Sequence, residues 1–265
     1  MSANGILDIR RIGRAGQGGL SSRRVELRRV HDRDDFAVIC FLPWLFSFAR
    51  ARDAGLVLPQ TALAYEMPHA IVSATPELSV EALHVVARDF LDFIEQRRLD
   101  PSKLTFVGLS MGCFAATYIA NLVGARLCAV GAADRGEELI WSSSLAAHIR
   151  RQAEHRGIRY NDFAGVLRDY NPVNNLRNIR PGSTFIAGYL DKVVPYASAR
   201  NVVAQARSDI KSIRSIVLPF GHSGTLYGGI RYLRFRGLNV KSPPDETEHE
   251  FKLGLSATTP TQNNT

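Results

Sequence analysis

The sequence contains none of the hydrophobic segments that direct a chain into or across a membrane. Its longest apolar stretch, residues 36–49, is too short to span a bilayer and contains Pro43. The first residues lack the apolar core of a signal peptide. We therefore expect a soluble, cytoplasmic protein with no stable membrane insertion.

Cysteine is scarce, with three residues among 265. Cys40, Cys113 and Cys128 all lie within apolar runs, and no C-x-x-C pair or histidine–cysteine cluster suggests a set of metal ligands. These positions predict buried free thiols in a reducing compartment. We expect neither a metal site nor a cofactor.

Positive charge is in excess, with a formal net charge of +8, and arginine is concentrated at the start of the chain. A basic patch can attract nucleic acid, an anionic membrane surface or an acidic substrate. No nucleic-acid motif and no interleaved aromatic residues accompany this one, so we prefer a solvated hairpin face and expect no nucleic-acid partner. The arginines that precede the first strongly apolar strand are Arg10, Arg11, Arg14, Arg23, Arg24, Arg28, Arg29 and Arg33.

The rest of the chain alternates between strand-like and helix-like patterns. One domain is sufficient for this length, and we assign residues 1–240 to it. The alternation predicts an α/β protein whose mostly parallel central sheet is covered by helices on both faces. The predicted strands span residues 36–42, 62–65, 104–107, 125–133, 184–190 and 213–218; the predicted helices span 45–54, 79–98 with Ser79 as N-cap, 114–122, 197–206 and 226–235.

Three segments depart from this alternation. Residues 1–33 are predicted to form one or two short strands around a turn at 14–19, with Val25 and Leu27 on the buried side. Residues 134–178 show no strand pattern and contain charged helical patches, which fits a long helical crossover. From residue 241 onward, prolines and polar residues predict a disordered tail.

The motif that carries chemistry is Gly108-Leu109-Ser110-Met111-Gly112, a G-x-S-x-G sequence between a predicted strand and a predicted helix. A serine hydroxyl is a poor nucleophile, so it must project clear of the backbone to where a base can reach it. A sharp, strained turn achieves this, and the two glycines remove side chains that would clash. The turn also places Ser110 at a helix N-terminus, where negative charge is favoured. These residues predict a nucleophile elbow.

Two later segments contain the partners that such a serine needs. Asp191 follows an apolar strand, in Ile186-Ala-Gly-Tyr-Leu-Asp191, and His222 follows the last one, in Leu218-Pro-Phe-Gly-His222. With the elbow, and in the order Ser, Asp, His, these segments resemble the α/β-hydrolase family over about residues 36–235. The resemblance implies that fold, a catalytic triad and a small helical lid at about residues 134–178.

The resemblance also implies a mechanism. His222 accepts the Ser110 proton, Ser110 attacks an ester carbonyl, and water clears the acyl-enzyme. Asp191 orients the imidazole and stabilises the imidazolium. Asp134 is an alternative acid, because some members of the family carry the acid after the preceding strand, and Asp191 also fits a simple turn-forming role.

The oxyanion hole is where the sequence departs from the family. One backbone donor is expected at Met111, and the second in the loop after the strand at 36–42. The usual His-Gly is absent, and Cys40-Phe41-Leu42-Pro43-Trp44 stands instead, in which Leu42 can donate an N–H and Pro43 cannot. Trp44, with Phe46 and Phe48, can line an acyl pocket, although aromatic residues here fit a core role equally well.

The function expected from these residues is cleavage of a small-molecule ester through a Ser–His–Asp triad. An acyltransferase or thioesterase would use the same residues, and the altered oxyanion loop also fits a weakly active or non-catalytic binding protein. The sequence leaves the oligomeric state open.

Overall fold

The strands form one seven-stranded sheet in the residues that the computed structural model describes, which are 25–31, 37–210, 212–236 and 238. The strand order is β1-β3-β2-β4-β5-β6-β7. The β1 strand pairs antiparallel with β3, and every other pairing is parallel. The carboxyl ends of the parallel strands therefore meet at one edge. The strands are β1 (Arg28–His31), β2 (Val38–Phe41), β3 (Thr61–Glu66), β4 (Thr105–Leu109), β5 (Arg126–Val130), β6 (Ser183–Gly188) and β7 (Ile213–Leu218).

Helices cover both faces of this sheet, because its central strands are apolar on both sides. Along β2, Ile39 and Phe41 join one buried cluster, whereas Val38 and Cys40 join the other. The first cluster is completed by α2 to α7 and the second by α1 and α8. The predicted fold class is thus confirmed. The helices are α1 (Phe48–Asp53), α2 (Pro76–Gln96), α3 (Gly112–Val123), α4 (Gly136–Ser142), α5 (Ala147–His155), α6 (Tyr160–Leu167), α7 (Tyr196–Asp209) and α8 (His222–Arg236).

Three helix starts differ from the prediction by three residues or more. The α1 helix begins at Phe48, three residues after the predicted start. The α2 helix begins at Pro76, so Ser79 is not its N-cap; the Ser79 hydroxyl is buried in the first turn and accepts the Ser73 N–H at 3.3 Å. The α8 helix begins at His222, four residues before the predicted start. Its glycines lower helix propensity, but they allow close packing, since a Cβ on Gly229 would lie 2.5 Å from Val130 Cγ1. Packing against the sheet therefore stabilises this helix despite its glycines.

Residues 134–178, all of which the structure describes, form helices joined by short loops and contain no strand, as predicted. The α6 helix packs against α2, and α4 packs against α5 and α6. Asn171 ties the segment together, since its Nδ2 donates to the Glu137 carboxylate at 2.9 Å and its Oδ1 accepts the Gly136 N–H at 2.8 Å. Burial raises the pKa of Glu137. The segment is anchored by buried polar contacts as well as by apolar packing.

The three cysteines are free and buried, as the apolar runs around them predict. Burial raises the pKa of each thiol to about 12. Among the described residues, no group of histidine, cysteine and carboxylate side chains could hold a metal ion, and no helix has the length and apolar character needed to cross a bilayer. The predictions made for residues 1–24, 32–36 and 241–265 lie outside the described residues. Of the early arginines, the described residues include only Arg28 and Arg29. Arg28 lies beside the Glu26 carboxylate, and Arg29 lies beside that of Asp89.

Candidate active site

Ser110 lies at the sharp turn between β4 and α3. Its φ of 52° is in the left-handed region, which costs a non-glycine residue roughly 1–3 kcal/mol and recurs at functional sites. The Ser110 N–H donates to the Val130 carbonyl at the end of β5, at 2.9 Å, which fixes the turn to the neighbouring strand. The predicted elbow geometry is therefore present, with Ser110 partly accessible.

Gly112 allows the elbow to sit against the end of β2. A Cβ built on Gly112 would collide with the carbonyl oxygen of Phe41 and would lie 2.6 Å from that of Leu42. Both are backbone atoms of the strand end and cannot rotate away as a side chain would. The first turn of α3 and the loop after β2 therefore share a space that admits only glycine.

A continuous line of hydrogen bonds joins Ser110, His222 and Asp191. The Ser110 Oγ lies 2.8 Å from His222 Nε2, and His222 Nδ1 lies 2.8 Å from Asp191 Oδ2. Because a carboxylate only accepts hydrogen bonds, Nδ1 carries the proton, and the Nε2 lone pair faces the serine hydroxyl. This is the arrangement in which a histidine can remove the serine proton.

The backbone holds the Asp191 side chain in place. Asp191 Oδ1 accepts the N–H groups of Val193 and Val194, at 2.8 Å and 2.9 Å. The Asp191 side chain is 1% exposed and that of His222 is 13% exposed. With Oδ1 bound by two amides, Oδ2 is the oxygen left for the imidazole.

Asp134, the alternative acid, is held elsewhere. Its Oδ1 accepts the Ser198 hydroxyl at 2.6 Å, and its Oδ2 accepts the Asn201 amide at 2.8 Å. Both partners belong to α7. The structure thus brings Asp191 to His222, and Asp134 ties the start of the helical segment to α7.

Cys113 is the other nucleophile type close to the elbow, and its surroundings make it inert. Its thiol is buried and donates to the Val130 carbonyl at 3.4 Å. Desolvation holds its pKa near 12, so the reactive thiolate is scarce at neutral pH. Of the two, only Ser110 is partly accessible and lies next to a base.

The loop after β2 does not offer the amide that the sequence suggested. The Leu42 N–H donates to the Tyr65 carbonyl of β3 at 3.0 Å, and Leu42 is fully buried. Leu42 was expected as an oxyanion donor, but its N–H is consumed by the sheet, because pairing between β2 and β3 continues one residue past the strand. The backbone N–H of Trp44, by contrast, has no acceptor among the described residues, and neither has the backbone N–H of Met111; the indole N–H of Trp44 donates to the His69 carbonyl at 3.3 Å.

The same loop holds a second strained residue. The Phe46 N–H donates to the Pro43 carbonyl at 3.2 Å and closes a tight turn around Trp44 and Leu45. Leu45 has a φ of 67°, at a turn position where glycine or asparagine is usual. This conformation costs a leucine roughly 1–2 kcal/mol, yet its side chain is 51% exposed and forms little compensating core.

A cavity of about 220 Å³ opens beside Ser110 and His222. Trp44 and Met111 line it, as the sequence analysis expected for a pocket and an oxyanion residue. Apart from His222, no described residue that lines it has an acidic or basic side chain. The cavity therefore suits an uncharged, apolar group next to the serine hydroxyl.

Most of the apolar lining escaped sequence reasoning. The helical segment supplies Leu139, Ile140, Leu145 and Ala146; the loop after Asp191 supplies Val193 and Val194; and α8 supplies Leu226 and Tyr227. A helix begun at His222 would have revealed Leu226, since residues at i and i+4 lie on the same face; Tyr227, at i+5, is about 140° around the helix from His222 and would not have been found in this way. For the helical segment, no periodicity in the sequence indicates which face meets Ser110.

Neither protein-family models nor curated proteins match this chain. Solved structures do. An uncomplexed acylaminoacyl peptidase of Pyrococcus horikoshii is 11% identical with a TM-score of 0.58; the match covers 86% of this chain and 42% of the peptidase. This chain therefore spans less than half the length of that protein.

Two smaller proteins match over most of their length. MGS-MChE2, an α/β-hydrolase enzyme from the metagenome of lagoon sediments of Mar Chica, Morocco, is 13% identical with a TM-score of 0.52, over 81% of this chain and 94% of that one. The capsule O-acetyltransferase of Neisseria meningitidis serogroup A is 12% identical with a TM-score of 0.55, over 79% and 90%. The chain thus has the α/β-hydrolase fold, and identities this low show the fold alone.

The close contact at Gly112 generates a prediction with an internal control. We expect Gly112→Ala to lower the free energy of unfolding by about 1–3 kcal/mol, because the new methyl group meets backbone oxygens. Gly165→Ala is the matched change within α6, where a Cβ meets nothing within 4 Å. It should be neutral or stabilise the fold by up to about 1 kcal/mol. Urea unfolding of both variants measures the difference, and equal stabilities would refute the packing argument.

Proposed function

We propose that this chain is a serine hydrolase that cleaves carboxylic esters through Ser110, His222 and Asp191. The observation that supports the proposal is the line of two 2.8 Å hydrogen bonds from the Ser110 hydroxyl through His222 to Asp191. A histidine with a purely structural role would not need a serine at a strained turn beside it. A serine placed there by chance would not need a histidine oriented by a carboxylate.

The reaction proceeds in two halves. His222 Nε2 takes the Ser110 proton as Oγ bonds to the ester carbonyl carbon, and the protonated imidazole then gives that proton to the departing alcohol. In the second half, water loses a proton to Nε2 as it attacks the acyl-enzyme, and the imidazolium returns that proton to Ser110 Oγ as the bond to the acyl carbon breaks and the acid leaves. Asp191 stays next to Nδ1 throughout, which holds the tautomer and stabilises the imidazolium.

The negative charge that develops on the carbonyl oxygen is stabilised by two backbone amides. Met111, at the N-terminal end of α3, supplies one N–H, and the helix dipole adds to it. Trp44 supplies the second in place of Leu42, whose N–H is bound to Tyr65. The strained turn around Leu45 holds the Trp44 amide in this loop.

The acyl chain of the substrate occupies the apolar cavity, and the helical segment at residues 134–178 acts as a lid over it. Four lining residues from this segment, Leu139, Ile140, Leu145 and Ala146, support both assignments. At about 220 Å³ the cavity is below the 300–1,000 Å³ of sites for drug-sized ligands, so it suits one part of a substrate. If a methylene fills about as much volume as a water molecule, about 30 Å³, the cavity holds a chain of about seven carbons.

An acyltransferase or thioesterase would form the same acyl-enzyme, and the fold shared with an O-acetyltransferase is compatible with either outcome. The distinction lies in whether water or another acceptor completes the second half. A non-catalytic binding protein would keep the cavity without turnover. Assays with a thioester, and with an added alcohol acceptor, separate these alternatives from ester hydrolysis.

The size of the cavity predicts the preferred acyl chain. Across p-nitrophenyl esters, we expect kcat/KM to rise by about fourfold per methylene while the chain fills the cavity, and to peak between hexanoate and octanoate. Ala146→Leu should shift the peak to shorter esters, because it adds volume to the lining. A maximum at acetate or palmitate, or an unshifted peak in this variant, would show that the chain binds elsewhere.

The two aspartates provide a matched pair of variants. Asp191→Asn should lower turnover roughly ten-thousandfold, because an amide nitrogen facing His222 Nδ1 favours the wrong tautomer. Asp134→Asn should leave turnover within a few-fold of wild type and cost about 1 kcal/mol in stability, because only its bonds to α7 are changed. Turnover of one ester at saturation, with Ser110→Ala as the inactive reference, measures both. A crippled Asp134→Asn enzyme beside an active Asp191→Asn enzyme would contradict the assignment.

A further inference from the structure

Large exposed hydrophobic side chains are concentrated at the active-site edge of the sheet. Eight are recorded among the described residues, and six of them lie in the loops after β2, β6 and β7, in the lid or in the first turns of α8. We call these six the apolar rim: Leu45, Leu145, Tyr189, Leu190, Phe220 and Tyr227. Scattered single residues are ordinary on a protein surface, but a group at one edge needs a reason.

Four of the six rim residues are linked to one another or to the cavity. The Leu190 N–H donates to the Phe220 carbonyl at 3.2 Å. The Phe220 side chain packs on the first turns of α8, beside Tyr227. A Cβ built on Gly224 would lie 2.9 Å from the Phe220 Cβ, and one built on Gly228 would lie 3.1 Å from a carbon of the Phe220 ring. Tyr227 and Leu145 both line the cavity beside Ser110. The apolar surface thus runs from outside the triad to the opening of the cavity.

Leu45 adds an independent indication. It occupies a left-handed turn position, where asparagine or glycine would be less strained, and it exposes half of its side chain to solvent. Neither backbone geometry nor core packing explains a leucine here. An apolar partner that contacts this side chain does.

The charges beside the rim are positive. The segments that bear the rim, residues 43–50, 143–151, 189–193 and 218–228, contain Arg50, Arg151 and Lys192, and their one carboxylate is the buried Asp191; Arg150 also lies there but is paired with Glu154 at 3.9 Å. The Arg50 guanidinium lies 4.7 Å above the ring of Phe46, which lines the cavity. Apolar side chains beside cations favour a partner that is apolar inside and anionic at its surface.

We propose that the apolar rim docks on the surface of an anionic lipid bilayer, with the opening of the cavity facing the lipid. Leu45, Leu145, Tyr189 and Tyr227 enter the boundary between headgroups and acyl chains, and Arg50, Arg151 and Lys192 contact the anionic headgroups. The partner has no fixed shape, so it requires no complementary groove, only exposed apolar area and positive charge. An ester held in the lipid would then reach Ser110 without crossing water.

The test is sedimentation of the full chain with vesicles, using Ser110→Ala so that no lipid is cleaved. Vesicles of phosphatidylcholine with phosphatidylglycerol should bind it, and pure phosphatidylcholine should bind it more weakly. Leu45→Asn combined with Tyr189→Ser should lower the partition coefficient at least about tenfold, since each removes apolar area and asparagine accepts the positive φ of residue 45. Thermal unfolding shows whether each variant is folded.

Phe235→Ser is the matched control. Phe235 is the most exposed hydrophobic residue of the set, at 85%, but it lies at the far end of α8, about 20 Å from His222. Its variant should bind vesicles as Ser110→Ala does. The proposal is overturned if no vesicle binds, if both substitutions weaken binding equally, or if light scattering shows a dimer that the rim variant abolishes. Because the readout is binding, a protein that binds vesicles without cleaving esters would refute only the proposed hydrolase.

Discussion

The contact of Gly112 with the carbonyl oxygens at the end of β2 is the constraint on which the site depends. It presses the first turn of α3 against the loop that carries Trp44, and it leaves Ser110 at the outside of a strained turn. The Ser110 N–H bond to Val130 then fixes that turn to β5. One close approach therefore sets the distance between the nucleophile and both backbone segments proposed to stabilise an oxyanion.

The remaining members reach Ser110 because the sheet is parallel from β3 to β7. The loops after β6 and β7 leave the same edge of the sheet as the elbow, and they carry Asp191 and His222. Two amides after Asp191 fix one of its oxygens, and the other directs the imidazole. Ser110 is held by its N–H bond to Val130 and Asp191 by two amides, whereas His222 is positioned as the first residue of α8.

Much of this arrangement could be predicted from the sequence, because local patterns determined it. The continuous apolar runs of the central strands, and glycines on either side of Ser110, are short-range signals with direct steric causes. The order of the three motifs, read against a known family, located Asp191 and His222. The start of α8 was missed because Gly224, in its first turn, lowers helix propensity, whereas the close packing of Phe220 against Gly224 and Gly228 leaves no room for larger side chains there.

The backbone donors in the loop after β2 and the residues that line the cavity could not be predicted from the sequence, because contacts between distant segments determine them. Leu42 carries a free N–H in the sequence, and only the pairing of β2 with β3 shows that Tyr65 takes it. The face that residues 134–178 present to Ser110 depends on how α6 packs on α2 and how α4 packs on α5 and α6, which no periodicity within these residues records. Likewise, the positive φ of Leu45 follows from a turn that contains no glycine.

The central claim is that Ser110 is an activated nucleophile, and covalent labelling tests it most directly. Ser110 is the sole serine in the tryptic segment of residues 104–126, so a fluorophosphonate adduct on that peptide reports on this hydroxyl. The account predicts rapid, stoichiometric modification of the folded protein at Ser110, and a large loss of labelling rate in His222→Ala. Folded protein that remains unmodified, or an adduct on Ser143 or Ser223 of the same cavity, would contradict it.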